Sequence, residues 1–227
     1  MRQWVIPPEH NAAFVWRMEE ILDLYEEPYD PKRPVVCFDE RPCQLLADVR
    51  DPLPMEPGGH PNKRVDSEYE RKGTAYVLLA FEPLKGRREM RVTERRRKQE
   101  FAQMMRELAE EVYPDAERIR LVCDNLNTHS PAAFYELFPA EQARRLSKKI
   151  EFIYTPTHGS WLNIVEIEFS VLVRQCLKRR VPDTQTLERE AGAWCEERNR
   201  LGKSVDWRFT TDDARIKLRK LYPSIDA

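Results

Sequence analysis

The sequence predicts an α/β fold built on a mixed sheet flanked by helices. Short β-branched and aromatic runs recur five times, each long enough for one buried strand. The first three precede any long helical stretch of the central region, whereas the last two alternate with helical spacing. An antiparallel start is therefore followed by crossovers that add parallel strands. The 227 residues, 41% of them hydrophobic, suffice to fill one such core.

Along the chain, residues 9 to 27 set Phe14, Met18, Ile21, Leu22 and Tyr25 at helical intervals. The three prolines of "PYDPKRP" end that helix. Residues 1–32 thus form a leading helix and linker. "PVVCFDE" reads as a buried strand stopping at Asp39 and Glu40. Residues 51 to 65, with four prolines and two glycines, read as a long loop. "GTAYVLLAFEPL" and "RREMRVT" form a hairpin turning through Pro83 to Gly86. From Thr93 to Tyr113 the spacing of Phe101, Met104, Met105, Leu108 and Val112 marks one apolar helix face, closed by Pro114. "RIRLVCDN" is the fourth strand. "PAAFYELFPAEQARRLSKK" is one broken helix or two short ones, and "IEFIYTP" is the fifth strand. A long helix is expected from about Ser160 to Leu177, then two more over 184–201 and 211–221. The central unit spans 33–182, and 183–227 is a helical extension.

With 38 basic and 39 acidic residues the net charge is −1, so any attraction for a polyanion must be local. No run of 18 apolar residues exists, and "MRQWVIPPEH" lacks a secretory core, so a cytoplasmic protein without a membrane partner is expected. Five widely spaced cysteines without a C-x-x-C pair argue against a disulfide framework. None of the four histidines pairs with a cysteine at zinc-finger spacing.

"LVCDNLNTH" runs from an apolar strand straight into a carboxylate. Asp39 and Asp124 each end a predicted strand, and neighbouring strands lie about 4.8 Å apart, so the two carboxylates can converge. Two anions so placed raise one another's pKa or require a cation between them. Magnesium suits hard oxygen ligands and takes only one or two protein carboxylates per ion. A third carboxylate is available in "GSWLNIVEIEFSVLVRQCL", where Asn163, Glu166, Ser170 and Arg174 make a polar stripe. Glu168 points about 200° away on the same helix, which favours Glu166. The competing reading is that an Asp at a strand end merely caps or turns.

Taken together, "CFDE", "CDNLNTH" and "YTPTHGSWLNIVEIEFSVL" resemble the DDE transposases of the mariner superfamily, specifically the bacterial insertion-sequence branch called IS six-thirty. There the first Asp follows a short apolar strand, the second opens a D-N-x-x-x-H motif, and the Glu closes an L-N-x-x-E motif. Those positions are Asp39, Asp124-Asn125 with His129, and Asn163 with Glu166. The resemblance implies a ribonuclease H-like catalytic domain over 33–182. It implies hydrolysis at transposon ends followed by strand transfer into target DNA. Two ions of Mg2+ or Mn2+ would be held by Asp39, Asp124 and Glu166, with Asp39 bridging both. Asn125, His129 and Asn163 would orient those ligands, although His129 equally suits a helix cap. The implied partners are DNA, a second copy of the chain when DNA is bound, and a separate helix-turn-helix chain. The last is expected because only one leading helix precedes the first strand here. The implied setting is the bacterial nucleoid. A non-catalytic remnant regulating an intact transposase, or another ribonuclease H-like nuclease, is the alternative.

For DNA contact, Arg95, Arg96, Arg97 and Lys98 sit at a helix N-terminus, where cations oppose the helix dipole and suggest a partner anion. Arg174 and Lys178 form a further basic group. His158 to Trp161 precede the Glu166 helix, where free N–H groups can receive a phosphate. Trp161 suits base stacking, but in an apolar stretch it suits the core better.

Overall fold

The computed structural model describes residues 11–55, 58 and 64–223. The N-terminal decapeptide read above for a signal lies outside them, as does part of the proline-rich loop. The chain forms helix α1 (Ala12–Glu26), strands β1 (Val35–Asp48), β2 (Tyr69–Glu82) and β3 (Arg87–Thr93), and helix α2 (Lys98–Glu107). Then come β4 (Ile119–Cys123), α3 (Ala132–Leu137), α4 (Ala140–Lys149), β5 (Ile150–Tyr154), α5 (Val165–Gln175), α6 (Thr184–Arg200) and α7 (Thr211–Lys217).

The five strands form one sheet in the order β3-β2-β1-β4-β5. β1, β2 and β3 pair antiparallel, whereas β1–β4 and β4–β5 are parallel. This is the mixed sheet expected from the element order. Each face is covered. α1, α5, α6 and α7 pack on one face around Met18, Ile21, Leu22, Cys37, Leu79, Phe169 and Leu187. α2, α3 and α4 pack on the other around Val36, Phe38, Phe101, Met105, Leu121 and Phe134. The helical intervals of α1 are satisfied, since Phe14, Met18, Ile21, Leu22 and Tyr25 are all buried. Its first turn is capped by Asn11, whose side chain accepts from the Phe14 amide at 3.0 Å.

β2 begins at Tyr69, ahead of the expected Gly73, and the last helix stops at Lys217 before a 3₁₀ turn; three further elements differ more. β1 does not stop at Asp39-Glu40 but runs to Asp48, paired with β2 along its length. It can contain Pro42 because its parallel pairing to β4 ends at Cys37↔Val122, leaving an open edge where a missing N–H breaks no ladder bond. The helix expected from Thr93 begins only at Lys98, where the Glu100 carboxylate accepts from the Arg97 amide at 3.0 Å, and its last turn widens into a π-turn over Leu108–Val112. The helix expected from Ser160 is broken into a 3₁₀ turn, Ser160–Leu162, and α5. Two tertiary hydrogen bonds explain the break. The buried Tyr25 hydroxyl donates to the Leu162 carbonyl at 2.7 Å, and the Asn163 amide donates to the Phe38 carbonyl at 2.8 Å. Asn163 is therefore extended (φ −84°, ψ 104°) and not part of the helical stripe.

All five cysteines are free. Among the described residues no helix is long and apolar enough to cross a membrane.

Candidate active site

The register of β1 on β4 sets the site. Asp39 and Asp124 each stand two positions beyond the last parallel pair, Cys37↔Val122, where the two strands part. Asp124 is the first residue after β4, as expected. Asp39 is within β1 and opposite Leu79 of β2, so it marks the end of the β1–β4 pairing and not of its own strand. Side chains alternate along a strand, and Cys37 faces the α1/α5 layer, so Asp39 faces α5 as well.

The rotation of α5 sends its two first-turn glutamates, Glu166 and Glu168, to different surroundings. Glu168 is fully buried and bonded to Arg88 Nε at 2.6 Å and to Arg198 Nε and Nη2 at 2.9 and 2.8 Å. Arg88, itself buried, also donates to the carbonyls of Gly86 and Lys203 at 2.8 and 2.6 Å. Gly86 has φ +68°, and a Cβ there would stand 2.8 Å from the Lys203 carbonyl carbon, so only glycine lets the β2–β3 turn meet that backbone. Burial pushes the Glu168 carboxyl up, but its hydrogen bonds to Arg88 and Arg198 hold it below the usual range. Glu168 is thus committed to an ion-pair network, and that network fixes α5 with Glu166 on another side. Of the two glutamates, Glu166 is the one left outside that network.

Asp39 and Glu166 stand among other carboxylates without a direct ion pair. The Asp39 carboxyl is pushed up to about 7, first by burial and then by the nearby carboxylates of Asp124, Glu166 and Glu40, against a hydrogen bond from the Glu40 amide at 2.7 Å. Glu166 is raised by burial and by Asp124, opposed by the Arg41 guanidinium. Among the described residues neither Asp39 nor Glu166 has an ion-pair partner within 4.0 Å. Three oxygen donors that repel one another suit a hard divalent cation, which would relieve the repulsion. As the side chains stand, no group of three or more His, Cys, Asp or Glu among the described residues is gathered closely enough to hold a metal ion.

His129 is not a helix cap. It is fully buried, with Nδ1 at 2.5 Å from Asp124 Oδ1 and Nε2 at 3.0 Å from Glu40 Oε1. Its ring packs edge-on to Phe38 and against Phe101, and its carbonyl accepts from the Tyr154 hydroxyl at 2.8 Å. Although burial alone would lower its pKa, the hydrogen bonds to Asp124 and Glu40 raise it to about 9. Glu40 received no role from the sequence. The signal was present in the alternation Val36, Phe38, Glu40, which sets a carboxylate on the buried face of β1.

The remaining candidates are more dispersed. Asn125 is exposed at the rim. Asn163 is buried and ties the segment before α5 to β1 beside Asp39. His158 is exposed with φ +66°, ahead of the 3₁₀ turn. Trp161 packs on the core with its ring 6.5 Å from Trp207 and 5.9 Å from Phe209, in keeping with the core reading. Arg95, Arg96 and Arg97 are exposed just ahead of α2, whereas Lys98 is paired with Glu136 at 2.5 Å. Arg174 and Lys178 are exposed at the far end of α5.

A family model described as DDE superfamily endonuclease matches residues 34–188. Among solved structures, a Mos1 transposase paired-end complex with left transposon end is similar at a TM-score of 0.57 and 15% identity, covering 89% of this chain and 61% of that chain. A Mos1 mariner paired end complex with Mn gives 0.56 and 15%, covering 89% and 62%. A pre-cleavage Mos1 transpososome gives 0.57 and 13%, covering 100% and 67%. At such identities the likeness shows the fold, a mixed five-stranded sheet flanked by helices of the ribonuclease H-like class. The chain spans about six tenths of the length of the first two of these chains. The comparison with curated proteins found no match.

Proposed function

We propose that this chain, which belongs to the DDE superfamily of endonucleases, is the catalytic part of a DNA transposase of the mariner superfamily, in its IS six-thirty branch. The observation that carries the reading is the placement of Asp39 and Asp124 at matched positions past the β1–β4 ladder, with Glu166 near enough to repel them while Glu168 is locked away. The likeness to Mos1 complexes with transposon ends supports DNA as the substrate.

On this reading Asp39, Asp124 and Glu166 hold Mg2+ or Mn2+, two ions in all. Bound there, the ions supply the positive charge that activates an attacking oxygen and stabilises a leaving one during in-line displacement at phosphorus. The protein contributes position: two ligands from the sheet and one from a helix pinned by Arg88 and Arg198. His129 holds Asp124, and Asn163 holds the segment leading into α5 against β1. Residues 33–182 form the catalytic unit, between a leading helix with its linker and the helical extension 183–227. Arg95, Arg96, Arg97 and Lys98 supply contacts to the DNA backbone, as do His158, Arg174 and Lys178. The chain acts as a homodimer on DNA, in the bacterial cytoplasm at the nucleoid.

Purified protein incubated with supercoiled or pre-nicked transposon-end DNA tests this. Manganese or magnesium should support nicking and strand transfer, calcium should not, and Asp124→Asn should abolish both while the fold persists. Cleavage that survives Asp124→Asn would overturn the site assignment.

A further inference from the structure

We propose that Glu40 is a positioning residue of the metal site, acting on Asp124 through His129. This rests on the reading that Asp124 is a metal ligand. Glu40 follows Asp39 in β1 but points to the opposite face of the sheet, so it cannot share Asp39's ligand position. It reaches the site by another route: Glu40 Oε1 to His129 Nε2 at 3.0 Å, then His129 Nδ1 to Asp124 Oδ1 at 2.5 Å. Both bonded groups inland are shielded, with the His129 side chain 0% and the Glu40 side chain 1% exposed, whereas the Asp124 side chain is 37% exposed. The chain of contacts therefore runs from a fixed interior anchor to an accessible carboxylate, with one Asp124 oxygen engaged.

The ring has no freedom to release its load. Phe38 and Phe101 flank it at 5.2 and 4.8 Å between centroids. Because Glu40 is covalently next to Asp39, the relay also ties the loop after β4 to β1, at the point where the two strands stop pairing. A hydrogen-bonded carboxylate–histidine pair behind a metal ligand limits the orientations that ligand explores before the ion arrives. Folding gives no comparable reason for Glu40. Its Oε2 is buried without a hydrogen-bond partner, and a buried ionic group so incompletely satisfied is a poor stabiliser.

The test measures Mn2+ affinity by the electron paramagnetic resonance signal of the free ion, together with the thermal transition of each variant. Glu40→Met keeps the volume but offers His129 no acceptor. Its Mn2+ affinity should fall about 10- to 100-fold, the range for loss of a group supporting a metal ligand. Glu40→Gln, which can still bond the ring, should remain within about threefold of wild type. In a His129→Ala background Glu40→Met should have no further effect, because the relay is already cut. A folded Glu40→Met protein with wild-type affinity would overturn the proposal, as would an undiminished loss in the His129→Ala background. If Glu40→Met does not fold, Glu40→Ala, which also offers His129 no acceptor, must show the same loss, and wild-type affinity there overturns the proposal equally. Wild-type protein whose Mn2+ binding is insensitive to Asp124→Asn would sink the metal reading itself, and this proposal with it.

Discussion

Replacing Asp39 by Asn should stabilise the metal-free protein at pH 8 and leave it unchanged near pH 4. The Asp39 carboxyl rises from an ordinary 3.8 to about 7 in the folded chain, through burial and then the neighbouring carboxylates. A raised folded pKa means that the native state holds this proton more tightly than the unfolded chain does. Stability therefore falls as pH climbs from about 4 to about 7 and levels above that. Three pKa units at about 1.4 kcal/mol each set a ceiling of about 4 kcal/mol. Splaying of the side chains and residual solvent reduce this to about 1–3 kcal/mol, or about 3–10 °C in Tm for a chain of this size. Asn keeps an oxygen to accept the Glu40 amide, so that hydrogen bond is conserved. Thermal melts in chelator at pH 4 and pH 8 give the comparison. Manganese should then raise the Tm of wild type and fail to raise that of Asp39→Asn, since a ligand that binds only the folded state stabilises it by mass action. An Asp39→Asn protein no more stable than wild type at pH 8 would refute the claim that the charged form of Asp39 is destabilised in this site.

Glu168→Ala should behave oppositely, losing about 3–5 kcal/mol because Arg88 is left buried and unpaired, and chemical denaturation measures it. Asn163→Leu removes the bond to the Phe38 carbonyl and should cost about 1–3 kcal/mol, with a matching fall in Tm. Changing Arg95, Arg96 and Arg97 together to Ala should leave the Tm within about 2 °C while weakening DNA binding. Because these side chains are exposed and proposed to meet phosphates, the slope of log affinity against log salt should flatten by about 0.9 per lost contact, read by fluorescence anisotropy.

Much of the fold was legible because period and composition agreed. The α1 intervals, the β2–β3 hairpin around Gly86, and the alternation of β4 and β5 with helices all reflect local preference reinforced by burial. What was not legible was set at a distance. β1 passes Asp39 and Pro42 because β2, with their partners Leu79 and Tyr76 far along the chain, supplies a ladder that polar sequence does not advertise. The helix before Glu166 is interrupted because Tyr25 and Phe38, far away in the chain, take up the bonding groups of Leu162 and Asn163. The same limit explains Glu40. The alternation Val36, Phe38, Glu40 sets a carboxylate on the buried face of β1, but its partner is legible only once the fold sets His129 against it. Glu168 is the converse, a charge whose partners, Arg88 and Arg198, lie 80 residues before it and 30 after it.

The central claim is that Asp39, Asp124 and Glu166 close on divalent ions. Anomalous scattering from crystals grown with Mn2+ tests it most directly. The account predicts manganese peaks bounded by those three side chains, with Glu168 still on Arg88 and Arg198. Full occupancy by manganese elsewhere, with the three carboxylates still apart, would contradict it.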